Sequence, residues 1–260
     1  MAAGLGHRVT VWERAAVPGG QVPLALASPD KADVAGVWSY RAAELATLGV
    51  GIDTGVTVSA AAIRQLRPDM VVVATGARPR ELPTPLDVAV PVVQAWAALL
   101  DPTLVAPGAV VTIIGGGMVG IETADLLGVR GCRVTVVELS DVVAREMARN
   151  NKFDVLARVE ASGAEIITNA AILRVEGNTF VLRVPAGEIR RPVGDVVVLA
   201  IGPEPERGAM PEVEATGLPF VLAGDCNRPG DFMTAIRDGS MAAIAAGLRL
   251  PVRSHSETAR

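Results

Sequence analysis

Three glycines and one acid carry the clearest chemistry in this 260-residue sequence. The segment "VVTIIGGGMVGIETADLL" sets Gly115, Gly117 and Gly120 in a G-x-G-x-x-G pattern, after a β-branched run and before a helix-forming one. Glu138 lies 21 residues past Gly117 and closes the run "RVTVVE". In that context each residue has its own task. Gly115 permits a tight turn, Gly117 lets backbone approach a pyrophosphate, and Gly120 lets the helix pack close on the strand. The helix start, with Met118 and Val119, turns its amides toward the phosphates. Glu138 offers a carboxylate that accepts from a ribose 2′-hydroxyl and repels a 2′-phosphate. The following "LSDVV" holds no base and Arg145 is the nearest, which predicts NADH in preference to NADPH.

The acid recurs near the start of the chain. "GHRVTVWE" (6–13) matches "GCRVTVVE" (131–138) at six of eight positions, and "DMVVVATGARP" (69–79) matches "DVVVLAIGPEP" (195–205) at six of eleven. Glu13 stands 63 residues before Gly76, and Glu138 stands 64 before Gly202. Matched spacing at both ends makes this an internal repeat of one nucleotide-binding unit. In that alignment Met1 falls on Leu126, inside the helix that follows the glycine turn. The expectation is that the first copy lacks its opening strand and glycine loop. A fragment, a start placed at an internal Met, or an upstream partner that completes the unit would each account for it.

The elements that must position these residues alternate. Val-, Ile- and Thr-rich runs at 8–12, 69–74, 109–114, 132–138, 164–168 and 195–201 predict strands. Ala- and Leu-rich stretches at 31–48, 117–129, 142–162 and 231–248 predict helices. The fold class is therefore α/β, with two Rossmann-like dinucleotide-binding units whose parallel sheets are covered by helices. The first unit spans 1–88 and 206–260, the second 89–205.

Composition removes several classes of function. Net charge is −4 and aromatics are 3% of the chain, so neither the basic field nor the stacking surface of a nucleic-acid binder is present. No apolar run reaches the ~18 residues of a membrane span, and no signal peptide opens the sequence. Cys132 and Cys226 are far apart, without a CxxC pair or a metal knuckle, which favours a reduced, cytoplasmic setting. No residues are grouped for nucleophilic catalysis and none are assigned a catalytic role. His7, at a strand start, and His255, in a polar tail, read as surface residues.

The segments "VTVWERAAVPGGQ", "VVVATGARP", "VTIIGGGMVGIE", "VTVVELSDVVAREM" and "VLAGDCNRPGDFMTAIRDG" together resemble the flavoproteins with two dinucleotide-binding domains. Within them the likeness is to the C-terminal part of the 2,4-dienoyl-CoA reductase and trimethylamine dehydrogenase family, and it covers nearly all of the chain. The resemblance implies FAD in the first unit and NAD(P)H in the second. It places Glu13 at the FAD ribose, Gly19, Gly20 and Gln21 beside the flavin, and Ala74, Thr75 and Gly76 against the cofactor. Gly224 and Asp225 of "AGD" would reach the ribityl and pyrophosphate region. Asp225 is also read, from its position alone, as a helix cap before 231–248. In the second unit Ala200, Ile201 and Gly202 take the place of the first unit's "ATG", and Glu122 faces the nicotinamide end. The family's N-terminal FMN barrel and iron–sulfur segment are absent from these residues, so a barrel domain or subunit is the implied partner.

The expected function is NADH oxidation with hydride passed to FAD and on to a partner flavin or iron–sulfur centre. Such transfer needs positioning more than acid–base side chains. Two alternatives stay open: a nucleotide-binding structural domain without its own chemistry, and a free-standing NADH-dependent reductase of a small organic acceptor. Without a glycine loop in the first unit, weak or substoichiometric FAD is expected in the chain alone.

Overall fold

A computed structural model describes residues 1–28 and 31–249, so His255 lies outside the described residues. The chain forms two compact units, one of Met1–Val22, Asp33–Arg78 and Pro203–Arg260, the other of Pro23–Ala32 and Pro79–Gly202. In chain order the elements begin with β1 (Thr10–Glu13), α1 (Val22–Ala27), α2 (Ala35–Thr47), β2 (Gly51–Thr54), α3 (Ala60–Leu66), β3 (Val71–Val73) and β4 (Ala77–Pro79). There follow β5 (Val92–Gln94), α4 (Ala95–Leu100), β6 (Val110–Ile114), α5 (Met118–Val129), β7 (Arg133–Val137), α6 (Arg149–Ala161) and β8 (Glu165–Ile167). Then come β9 (Ala171–Glu176), β10 (Thr179–Val184), β11 (Gly187–Pro192), β12 (Val196–Leu199) and β13 (Pro203–Pro205). The described chain closes with α7 (Met210–Glu214), β14 (Phe220–Leu222) and α8 (Phe232–Arg249).

The second unit is built on a five-stranded sheet in the order β5-β12-β6-β7-β8, parallel throughout. Continuous β-branched runs suit such a sheet, because both faces of a parallel strand are buried. All four residues of β12 are buried, as are Val111, Thr112 and Ile113 of β6. On one face, Val111, Ile113, Val134 and Val136 pack against Ile121, Ala124 and Leu127 of α5 and Val155 and Val159 of α6. The other face is not covered by helices as expected. Val137, Val197 and Leu199 there meet Phe180 and Leu182 of the antiparallel sheet β11-β10-β9, together with Leu82, Leu86 and Val88. Those contacts draw 79–88 into the second unit.

The first unit has a smaller core, Ile63, Val73, Val213 and Cys226 with Trp12, Phe220 and Leu222 packed around them. Among its strands, β1 pairs with β2 and β3 with β14, both parallel. Ser59 caps α3 by accepting from the Ala62 amide at 3.2 Å. His7 is not simply a surface residue: its Nε2 is shut off from solvent and has no hydrogen-bond partner among the described residues.

Helix α6 begins at Arg149 rather than near 142. Residues 139–148 instead fold back over the glycine turn, with Ala144 in the left-handed region (φ 45°) and its amide donating to the Gly116 carbonyl at 2.7 Å. Helix α5 is buried nearly all round, including two acids, Glu122 and Asp125. A buried carboxylate demands a partner. Arg158 of α6 supplies one, gripping Asp125 through Nε at 3.1 and 3.0 Å and Nη2 at 2.7 Å.

Asp125 is 1% exposed and Arg158 32%. Arg158→Met should therefore leave a charge stranded inside and cost on the order of 2–3 kcal/mol, at or below the low end for fully buried pairs. Denaturant unfolding of the second unit measures it, and an unchanged midpoint would refute the role given to this pair.

Candidate functional site

In the second unit the carboxyl end of β6 runs into Gly115 at φ 103°, then Gly116, then Gly117 as the residue preceding α5. Each glycine answers to a different neighbour. A Cβ on Gly115 would collide with the Ala200 carbonyl, and one on Gly120 with the Gly115 carbonyl oxygen. Helix α5 thus sits directly on the turn. Around Gly117 the space is open, the nearest protein atom to an added Cβ being the Glu146 carboxylate at 3.9 Å. The first intrahelical bond runs from the Ile121 amide to the Gly117 carbonyl at 3.0 Å. The amides of Met118, Val119 and Gly120 precede it, the donors a helix N-terminus offers to an anion.

Gly116, the x of the motif, is constrained as well: its Cβ would lie 2.8 Å from Val143 and 3.0 Å from Glu138. The sequence gives no sign of this, because the loop that presses on it comes from residues far downstream.

Glu138 ends β7 and ties the turn together. One carboxylate oxygen accepts from the Gly116 amide at 2.5 Å and the other from the Ser140 amide at 2.7 Å. Burial pushes this carboxyl up, but the Ser140 and Gly116 amides, the Ser140 side chain and the charge of Arg145 hold it below the ordinary 4.5. Glu138 is therefore ionised across the neutral range, its oxygens fixed beside the glycine turn. Ala200, Ile201 and Gly202 follow β12; the Ala200 amide donates to the Ile114 carbonyl at 2.8 Å, and Gly202 takes φ 90°. They line a narrow cleft with Val119, Gln94 and Trp96.

Glu122 lies in the second turn of α5, 3% exposed, and is paired with Lys31. Burial raises its carboxyl, the Lys31 hydrogen bond and charge lower it, and Asp125 raises it again; the net direction is up. Lys31 was not among the expected site residues. Only the demand of a buried acid for a cation points to it, and that demand is invisible until the acid is seen to be buried.

In the first unit, Glu13 ends β1 and accepts from the Ala15 amide at 2.7 Å, the same bond that Glu138 makes to Ser140. Gly19 (φ 129°) and Gly20 (φ 55°) form a turn with the Trp38 ring against Gly19. The Gln21 amide donates to Asp225 at 3.0 Å, and its Nε2 lies 3.5 Å from where a Gly76 Cβ would stand. Gln21, Gly76 and Asp225 are thereby brought together. After Ala74, Thr75 donates its hydroxyl to the Glu206 carbonyl at 2.5 Å, and Gly76 takes φ 76°. Gly224 (φ 70°) starts the turn that carries Asp225. Asp225 also accepts from the Gly230 amide at 3.1 Å, while the cap of α8 is Asp231, which accepts from the Thr234 amide at 2.7 Å.

The two cysteines are both buried and free. Cys226 points its thiol at the Val73 carbonyl (3.0 Å) and Cys132 at the Ala106 carbonyl (3.5 Å). Among the described residues no group of His, Cys, Asp and Glu could hold a metal ion, and no helix is long and apolar enough to cross a membrane.

Known proteins share this arrangement. The chain is 32% identical over 239 residues to a bilirubin reductase of Mediterraneibacter gnavus, and 32% identical over 244 residues to an NADH oxidase of Thermoanaerobacter brockii. Each match covers 92% of this chain and 37% of the relative, so the chain spans little more than a third of their length. The structure of a 2-naphthoyl-CoA reductase superposes with a TM-score of 0.80 at 25% identity, over 94% of this chain and 37% of that one. Histamine dehydrogenase from Rhizobium sp. 4-9 shares the fold at a TM-score of 0.82 and 18% identity, over 99% of this chain and 42% of that one. Residues 1–228 match the family described as pyridine nucleotide-disulphide oxidoreductase, and to that family the chain belongs.

Proposed function

We propose that the chain is the nucleotide-binding part of an NADH-dependent flavin oxidoreductase. The second unit would hold NADH; the first, FAD. Hydride transfer is the chemistry these two groups supply when bound. The observation that carries this reading is the second unit's glycine turn, open over Gly117, with helix-start amides on one side and the ionised Glu138 on the other. Glu138 has lone pairs left for a ribose hydroxyl and repels a further phosphate, which supports NADH over NADPH. Family membership and the internal repeat support FAD in the first unit.

Glu122 and Lys31 serve as a positioning pair. Lys31 opposes the upward push of burial on an acid in the early turns of α5, close behind the amides that would face the phosphates. The electron acceptor belongs to a partner domain or subunit carrying a flavin or iron–sulfur centre. The two free thiols suit a reducing, cytoplasmic compartment.

In a titration NADH should bind roughly tenfold or more tightly than NADPH, about 1.4 kcal/mol, with Glu138→Gln narrowing the gap. Tighter NADPH would overturn the assignment. Gly120→Ala, whose methyl meets the Gly115 carbonyl, should abolish binding of both.

Lys31→Met should push the Glu122 carboxyl further up. An acid raised in the folded state makes stability fall as pH rises above its ordinary 4.5. Both proteins share the initial fall above 4.5. The variant should lose further ground once pH passes the parent's raised Glu122 value, and Lys31→Met combined with Glu122→Gln should remove that slope. Parallel pH profiles of parent and Lys31→Met would deny the pair its role.

Flavin content of the purified chain tests the first unit. Bound FAD is expected, and Glu13→Ala should weaken it roughly tenfold while NADH binding stays normal. Flavin retention unchanged by that variant would deny Glu13 its place at the FAD ribose.

A further inference from the structure

The internal repeat continues past the glycine that follows its last strand. By its spacing Gly76 answers to Gly202, Arg80 to Glu206 and Glu81 to Arg207. One bond obeys this correspondence and is exchanged between the copies. The Glu206 amide donates to the Gly76 carbonyl at 2.9 Å in the first unit, and the Arg80 amide to the Gly202 carbonyl at 2.9 Å in the second. The next position breaks the symmetry. Glu81 in its ionised form can only accept, whereas Arg207 brings five N–H donors in a planar fork.

That fork grips the turn that carries Asp225. Its Nε donates to the Cys226 carbonyl at 2.9 Å and its Nη2 to the Asn227 carbonyl at 3.2 Å. Both carbonyls lie on the C-terminal side of the short 3-10 turn Gly224–Cys226, where a helical turn runs out of donors of its own. On the other side of Asp225 the Gly224 amide donates to Asp238 at 3.3 Å. The backbone is thus fixed before and after Asp225, whose two oxygens accept from Gln21 and from the Gly230 amide. One residue upstream of Arg207, the Glu206 carbonyl accepts the Thr75 hydroxyl while its amide holds Gly76. Residues 206 and 207 therefore tie two separate turns, 74–76 and 224–227, to one short segment.

We propose that Arg207 is a positioning residue of the first unit. By gripping the 224–227 turn it keeps the Asp225 carboxylate in place to accept from a hydroxyl of the FAD ribityl chain. The role rests on the reading that this unit takes FAD. Lysine is no substitute, because a single ammonium on a flexible stem lacks the planar fork that spans two successive carbonyls. The influence on flavin runs through Asp225, so losing Arg207 and losing Asp225 remove the same interaction.

Two measurements on the full chain test the proposal. Without added nucleotide, Arg207→Gln should speed hydrogen exchange at Asn227, Arg228 and Gly230 roughly tenfold or more, with the α5 amides unchanged. In an FAD titration Arg207→Gln should bind about tenfold more weakly than the parent, and Arg207→Lys should not recover the loss. The loss should not add to that of Asp225→Asn, so the double variant binds FAD no more weakly than Asp225→Asn alone. Unchanged exchange, FAD bound equally by parent and Arg207→Gln, additive losses or full recovery by lysine each overturn this role and leave FAD in the first unit. A parent chain that takes up no FAD refutes the first-unit reading and the role together. Loss of NADH binding in Arg207→Gln would also overturn it, since the residue acts within the first unit.

Discussion

The second unit is organised around one strand. β6 is hydrogen-bonded on both sides, buried on both faces, and continuous with the turn on which α5 sits. Its place in the sheet fixes where β7 delivers Glu138 and where β12 delivers Ala200, and the glycine turn is the point at which the three strand ends converge. Because Gly115 and Gly120 carry no side chains, helix, turn and neighbouring strand close to distances that any Cβ would forbid. The free amides at the start of α5 are a by-product of that packing.

Charge inside α5 follows the same logic. A helix buried nearly all round would ordinarily be apolar, yet α5 holds Glu122 and Asp125 three residues apart on it. Each is neutralised from a different piece of chain, Lys31 from the segment after α1 and Arg158 from α6. The two pairs differ in geometry: Asp125 is gripped by both arms of a guanidinium, whereas Glu122 has a single ammonium at the end of a flexible stem. The first fixes α6 against α5. The second leaves a carboxyl that is raised overall and responsive to what happens near it.

Much of this was legible in the sequence, and the limits are physical. The glycine spacing, Glu138 and the repeat were readable because they are local or because one copy reports on the other. The strands β6, β7 and β12 and the helix α5 came from continuous apolar runs, which announce burial; β8 came from a short β-branched run and α8 from its Ala-rich stretch. The sheet β9–β11 was missed because its residues alternate and include many charges, a weaker signal that turns at Gly177 and Gly187 could have strengthened. The start of α6 was misplaced because helix-forming residues at 142–148 are held instead by contact with Gly116. Lys31 and Gly116 could not be found at all, since both owe their roles to residues distant in sequence.

The sheet β9–β11 carries a ladder of exposed ion pairs: Arg174 with Glu176 and Glu188, Arg190 with Glu176, and Arg191 with Glu165. Val181 lies in register between Arg174 and Arg190 and is itself buried. A strand rimmed by charge is a poor template for another chain, since docking would strip water from each ion. The outward strands of the first unit carry no such rim: β3 is three valines. One polypeptide thus contains a sheet edged with charge and a strand, β3, that carries none. Salt weakens exposed ion pairs and leaves main-chain edges untouched. As ionic strength rises, the difference in adhesiveness between these two surfaces narrows from the charged side alone.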